Sequence, residues 1–304
     1  MTTTKKILLS LLIIVLICVG VYGYSVWQLS RLNTSYRFME TKGNLIASFT
    51  CNEENSVVQP TGNTVYLDLG SRHSFISNDD ALKLRELGYP VEFHNTLLIT
   101  TDWVGRYRLF TKIARLDVTF INPQLPDSTF VIHDVDLIVL PDGSPNILGM
   151  DLLSNFVIER LLPENVVNFY KQVPPGYTTV SRLKIYDMGN TGTTGRAAIS
   201  LVVNDEDPHD YYLTTGRSMS QHELVQPYNN VHTATSRVDK DPKTGLYTQR
   251  RCRVNFGDRL RYSNVVYADT IHTDKYSINP LRFFDQDFVL DMPGRRLLVH
   301  KTRE

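Results

Sequence analysis

Val65-Tyr66-Leu67-Asp68-Leu69-Gly70-Ser71-Arg72-His73-Ser74-Phe75-Ile76-Ser77 is an apolar strand that runs into Asp-x-Gly-Ser and leaves it as a second short strand. Much later come Asn146-Ile147-Leu148-Gly149-Met150-Asp151-Leu152-Leu153 and Phe156-Val157-Ile158-Glu159. The order then recurs. Tyr211-Tyr212-Leu213-Thr214-Thr215-Gly216-Arg217-Ser218-Met219-Ser220 is followed by Asn279-Pro280-Leu281-Arg282-Phe283-Phe284 and Phe288-Val289-Leu290-Asp291. Thr214 falls at the place of Asp68, and Thr215 at the place of Leu69. A repeat this long means duplicated domains, because solenoid units span roughly 20–50 residues.

Outward from the first segment, the pattern is mainly β. Alternating strands are predicted at Leu45 to Cys51, Leu97 to Thr100, Tyr107 to Phe120 and Thr129 to Leu140. Ser77-Asn78-Asp79-Asp80 starts a short helix over Ala81 to Leu87, and Gly88 stops it. The second copy repeats the strands at Ala197 to Val203, Tyr211 to Leu213, Arg253 to Phe256 and Asn264 to Ala268. The closing pairs match best: Phe156 to Glu159 with Val166 to Tyr170, then Phe288 to Asp291 with Arg296 to His300. This divides the chain into a tip and apolar anchor (1–28), lobe one (29–171), a linker (172–180, from Gln172-Val173-Pro174-Pro175-Gly176) and lobe two (181–304). Gln28 to about Tyr36 reads as a polar tether.

Lys5 and Lys6 precede an uncharged stretch from Ile7 to Trp27. At ~1.5 Å per residue it can cross a hydrocarbon core of roughly 30 Å. Tyr22, Tyr24 and Trp27 at its far end suit the membrane interface. The expectation is a single-pass protein with a cytoplasmic N-terminus and exported lobes. A cleaved signal ending near Gly20 or Gly23 is the rival reading, and it makes the protein secreted.

Formal net charge is zero, from 32 basic and 32 acidic residues, which leaves no electrostatic footprint for nucleic acid. Arg250-Arg251-Cys252-Arg253 reads as a strand's solvated face. Cys51 and Cys252 read as buried free thiols, with a bridge between lobes open in an oxidising compartment. No Cys/His spacing suits a metal and no cofactor is expected.

The Asp-x-Gly-Ser strand, the Ser-Phe-Ile-Ser segment with its helix, and Ile-Leu-Gly-Met-Asp-Leu-Leu together resemble the aspartic peptidases of the retropepsin and pepsin type. The resemblance covers nearly all of residues 40 to 304. It implies two β-barrel lobes with a cleft between them, a catalytic aspartate at Asp68, and active-site loops through Leu69, Gly70 and Ser71 and through Thr215 and Gly216. It implies a flap hairpin at Trp103, Gly105 and Tyr107, and a Gly149 that lets a second loop pass behind the first.

Three positions depart from the pattern. In the family two aspartates share a proton, since like charges ~3 Å apart cannot both ionise. Thr214 replaces one, and a threonine hydroxyl cannot exchange the roles of acid and base. Leu69 stands where a hydroxyl residue would bond across the lobes. Asn279-Pro280 replaces the apolar-Gly turn, and Pro280 lacks an amide proton. Without a second carboxylate, Asp68 is expected to stay ionised, and its bland reading is a turn cap. Asp151 reads as a helix-start residue, and His73 as a loop side chain. Asp210 lies too far along its strand to replace the missing partner.

Three functions remain open. One is a membrane-anchored, catalytically degenerate homologue that binds a peptide or protein in its cleft. Another is an active aspartic endopeptidase, using Asp68 with a Thr214-held water or by pairing two chains. The last is a structural surface or assembly component.

Overall fold

The computed structural model describes residues 3–33, 37–38, 43–52, 55–58, 63–101, 106–121, 129–186, 196–215, 223–233, 238–242, 245–268 and 276–300. It is mainly β, with one long apolar helix at its N-terminus. Three sheets carry the architecture.

The first sheet has the spatial order Ser56–Val58, Thr64–Leu67, Asn146–Leu148, Phe75–Ser77, Thr129–Leu140, Tyr107–Ile121, Glu92–Thr101. Thr64–Leu67 runs parallel to Asn146–Leu148, and Phe75–Ser77 runs parallel to Thr129–Leu140. The helix Asn78–Glu86 follows directly. Ser77 caps it by accepting the Asp80 amide, and Gly88 ends it at φ +89°, a conformation glycine adopts without steric cost.

The second half of the chain has the same pairing pattern. His209–Leu213 runs parallel to Ser277–Ile278, which is antiparallel to Leu224–Pro227, which runs parallel to Arg259–Ala268. Arg259–Ala268 then pairs antiparallel with Tyr247–Phe256, and Arg196–Val203 bonds to both His209–Leu213 and Tyr247–Phe256, closing a barrel. Cys252, Val254 and Phe256 all face inward, as their spacing predicts.

The closing strands of both halves meet in one six-stranded sheet. Its order is Leu45–Thr50, Val166–Tyr170, Val157–Leu161, Phe288–Asp291, Arg296–His300, Tyr177–Arg182. The seam pairs Val157 with Asp291 and Arg160 with Phe288. Both faces of its inner strands are covered, so these strands are buried along their length. Phe49, Phe120, Phe130, Phe156 and Phe169 form one edge-to-face cluster above it. The residues expected to serve as linker are partly strand, because Tyr177–Arg182 supplies the sheet's outer edge.

From Gln28 to Asn33 the expected polar tether is not what the structure builds, and residues 34–36 of it lie outside the described residues. The helix spans Thr3–Arg31, and Val21, Ser25, Gln28 and Leu29, with Leu32 just past its end, are among its half-buried and buried positions. That spacing places them on one face. Leu32 packs with Leu98, Ile113 and Ile138, and Ser25 Oγ accepts the Ile99 amide at 2.7 Å. Packing of this face against Glu92–Thr101 and its neighbours extends the helix through residues whose composition alone reads as a linker.

Candidate functional site

Asp68 and Thr214 occupy equivalent places. Each follows the last residue of an inner strand, and each donates its amide to the carbonyl of the adjacent parallel strand's end: Asp68 to Leu148 at 3.0 Å, Thr214 to Ile278 at 2.9 Å. The turn after Asp68 folds back on it. Gly70 donates its amide to Asp68 Oδ1 at 2.7 Å, and Ser71 donates to the Asp68 carbonyl at 3.2 Å. Gly70 lies between the two sites. A Cβ there would stand 3.1 Å from Asp68 Oδ1 and 2.6 Å from Thr214 Oγ1. The carboxylate and the threonine hydroxyl therefore face each other across a position that tolerates no side chain.

Leu69 cannot bond across the halves, yet the crossing survives from the other side. Thr215 Oγ1 donates to the Leu67 carbonyl at 2.6 Å and accepts the Leu69 amide at 3.1 Å. One hydroxyl thus clasps the backbone on both sides of Asp68. Asn55 Nδ2 supplies a second donor to the Leu67 carbonyl at 2.7 Å. The Leu69 side chain is buried beside Pro280, Leu281 and Phe288 of the second half. Leu69 thus meets the second half through apolar packing, and its backbone meets it through Thr215. Gly216 lies outside the described residues.

Behind the first loop, Gly149 makes the close approach that its motif implies. A Cβ on it would meet the His73 carbonyl oxygen at 2.4 Å and the Ser71 oxygen at 3.0 Å. Met150 donates to the Ser71 carbonyl at 2.8 Å, and Ser71 Oγ donates to the His73 carbonyl at 2.8 Å. Ser74 Oγ accepts from the Gly149 amide and donates to Asp151 Oδ1 at 2.6 Å. Asp151 also accepts the Leu152 and Ser74 amides and, at 2.7 Å, Asn33 Nδ2. Its helix-start role is therefore joined by a second one, as the post that ties Asn33, just past the long helix, to the back of the Asp68 loop.

In the second half the corresponding turn is closed by different bonds. Asn279 caps the helix Pro280–Phe283 by accepting the Leu281 amide at 3.0 Å, with Pro280 at the first helical position where no amide is needed. Pro280 cannot make the bond that Met150 makes to Ser71. Asp210 is engaged elsewhere, with Lys184 Nζ at 2.7 Å and with the Tyr186 hydroxyl.

Burial, which the sequence does not reveal, acts on Asp68. Burial raises the Asp68 carboxyl above its ordinary range even without a second aspartate. The Gly70 amide and the charge of Arg196 pull it part of the way back. Arg196, the first residue of Arg196–Val203, is a charged neighbour of Asp68 that no motif pointed to. His73 is pushed down to about 4, by burial first and by Arg72 second, so it is neutral near pH 7.

Of the flap residues, Trp103 and Gly105 lie outside the described residues. Tyr107 opens the strand Tyr107–Ile121, pairs with Thr101, and is exposed. A cavity of about 500 Å³ opens within the first half, lined by Val57, Val65, Leu67, Leu84, Val118 and Phe120 among others, and Asp68 does not line it. Cys51 and Cys252 are free and buried, and burial pushes Cys51 up to about 11. Among the described residues, no group of His, Cys, Asp or Glu side chains is arranged to hold a metal.

No family model matches the chain, and no curated protein matches it. Among solved structures it is similar to conglutin gamma, a basic 7S globulin from lupine seeds, at 10% identity and a TM-score of 0.46, over 79% of this chain and 88% of that one. A likeness at that level fixes neither ancestry nor activity.

Proposed function

We propose that this chain is a membrane-anchored, catalytically degenerate relative of the two-lobed aspartic peptidases that binds an extended peptide or protein segment between its lobes. The observation that carries the reading is the equivalent placement of Asp68 and Thr214 across Gly70, with Thr215 clasping the backbone around Asp68. Internal duplication is supported by the shared pairing pattern of the two halves and by the six-stranded sheet to which each contributes three strands. Proton sharing needs two carboxylates, and this pair has one. Burial raises the Asp68 carboxyl and the charge of Arg196 offsets part of that rise, but neither supplies the second carboxylate that proton sharing needs.

Anchoring is supported by the helix itself. It is long enough to span a bilayer, with a mean hydropathy of 2.7 in its most apolar stretch, and that stretch is not buried in protein. Gly23, a possible cleavage point of a leader, sits inside the unbroken helix next to the docked Ser25.

The test is cleavage and binding of a mixed peptide library by the full chain in detergent, from acidic to neutral pH, beside Asp68→Asn. The expected result is peptide retention by both proteins and cleavage by neither. Cleavage abolished by Asp68→Asn overturns the proposal in favour of a working peptidase. A folded chain that retains no peptide at any pH refutes the cleft-binding role.

A further inference from the structure

The hairpin expected to form the flap is bound to the long helix, and the two run side by side. Leu32 packs against Ile113, while Ser25 bonds to Ile99, whose cross-strand partner is Leu109. Going back along the helix from Leu32 to Ser25 covers ~10 Å at ~1.5 Å per residue. Going along the strand from Ile113 to Leu109 covers ~13 Å at ~3.3 Å per residue. The agreement fixes the direction: the strands advance toward the helix N-terminus, into the uncharged stretch. The Thr101–Tyr107 pair lies about 7 Å further on. That brings it level with the half-buried Val21, about a turn deeper than Ser25.

The side chains at that end are wrong for water. Tyr107 is 81% exposed, Leu109 61%, Phe110 58% and Leu97 42%. Leu109 and Phe110 are neighbours, which a regular strand would send to opposite faces. Both point outward because Phe110 adopts a left-handed φ of +55° where the ladder shifts register. A phenylalanine held in that conformation with its ring in water has neither local nor packing stabilisation. Arg106 and Lys112 flank the group and are exposed, so their stems can lie along apolar surface while their charges reach phosphate.

We propose that this end of the hairpin lies in the interfacial layer of the bilayer that the helix crosses, with Leu97, Tyr107, Leu109 and Phe110 in contact with lipid. The inference rests on the anchored reading of the helix. It makes the membrane a wall of the molecule: the hairpin's position is set by lipid and helix together, and the first lobe is held against the surface in one orientation.

The test uses the full chain in phosphatidylcholine–phosphatidylglycerol vesicles. An environment-sensitive fluorophore is placed on Leu109→Cys and, separately, on Tyr107→Cys, each with Cys18→Ser. Both sites are exposed, so neither change disturbs the core. Native Cys18 reports the anchor, and Asp207→Cys with Cys18→Ser reports a surface away from it. Lipids carrying a quencher at the upper acyl chain are then compared with aqueous iodide. Positions 107 and 109 should be quenched by lipid several-fold more than position 207, and less by iodide. Strong lipid quenching at Cys18 with positions 107 and 109 behaving like 207 overturns this inference and leaves the anchor standing. Absence of lipid quenching at Cys18 removes both. Protection of 107 and 109 from lipid and iodide quenchers alike means that protein covers the hairpin, and also overturns the inference.

Discussion

At the scale of single residues, the centre of the molecule is held by what is small and what can donate. Gly70→Ala brings a methyl group within 2.6 Å of the Thr214 hydroxyl, the end of a side chain that can be removed. Gly149→Ala brings one within 2.4 Å of a backbone carbonyl, which cannot. Both overpack, at about 1–3 kcal/mol or more. We expect Gly149→Ala to be the worse in chemical denaturation, and Thr214→Gly to rescue Gly70→Ala but not Gly149→Ala. Thr215→Val leaves the Leu69 amide without its acceptor, while the Leu67 carbonyl keeps Asn55. A loss of about 2 kcal/mol should follow. His73 gives a pH signature. An unfolded imidazole takes its proton near 6.5, whereas the native one waits until about 4. The unfolded state therefore binds the extra proton in between, and stability falls as pH drops from about 6.5 to about 4, by of order 2 kcal/mol. His73→Gln should flatten denaturation midpoints over that window. Asp68 works in the opposite sense. Its raised carboxyl stabilises most in acid, and the contribution is lost as pH rises through its folded value. Arg196→Gln should raise the Asp68 titration further, as read by carboxyl NMR.

At the scale of elements, the informative comparison is between two short helices that close equivalent turns. Met150–Leu153 has Gly149 before it and no side-chain cap, and it leans on the Ser71 carbonyl and on Ser74 instead. Pro280–Phe283 has the Asn279 cap in place of such a bond. Asn279→Ala should therefore cost about 1 kcal/mol, the usual cost of losing an Asn cap, whereas Gly149→Asn should fail sterically although asparagine is the better cap. Comparing the two in thermal melts separates capping from close approach. On the six-stranded sheet, Glu159 is buried and accepts from Asn168, Tyr170 and Tyr177. Burial first, and the nearby Glu159 second, raise the Tyr177 hydroxyl above its usual range, so it stays a donor at any working pH. That network draws on strands from both sides of the seam.

At the scale of the whole molecule, the seam between Val157–Leu161 and Phe288–Asp291 makes the halves one folding unit. Residues 1–171 alone would expose a long apolar edge, the kind that associates. We expect one cooperative unfolding transition for the intact chain and aggregation of the isolated halves. Two separate transitions would contradict that. The helix belongs to the same unit through Ser25, Leu32 and Asn33. A chain shortened to begin at residue 34 should be less stable than one that keeps Leu32 and Asn33, because Asn33 bonds both Asp151 and the Asp136 backbone.

Local chemistry made much of this legible in the sequence. The Ser77 cap and the Gly88 stop bracket a helix as their residue types require, and Thr129 to Leu140 alternates as a strand and is one. Asp68, Thr214 and Gly149 stand out through the resemblance to a known family, since turn residues such as Asp and Gly are by themselves too common to mark a site. Contacts between distant segments could not be read this way. Nothing near Arg196 marks it as a neighbour of Asp68. Nothing in Gln28 to Asn33 announces that a polar-looking stretch continues a helix against a sheet. Nothing around Leu69 says that its amide bonds the Thr215 hydroxyl from the other half of the chain. Sequence determines what each segment can do by itself, through sterics, spacing and capping. Which segments meet, and so which charges are felt and which hydroxyls find partners, is decided by packing across more than a hundred residues of chain.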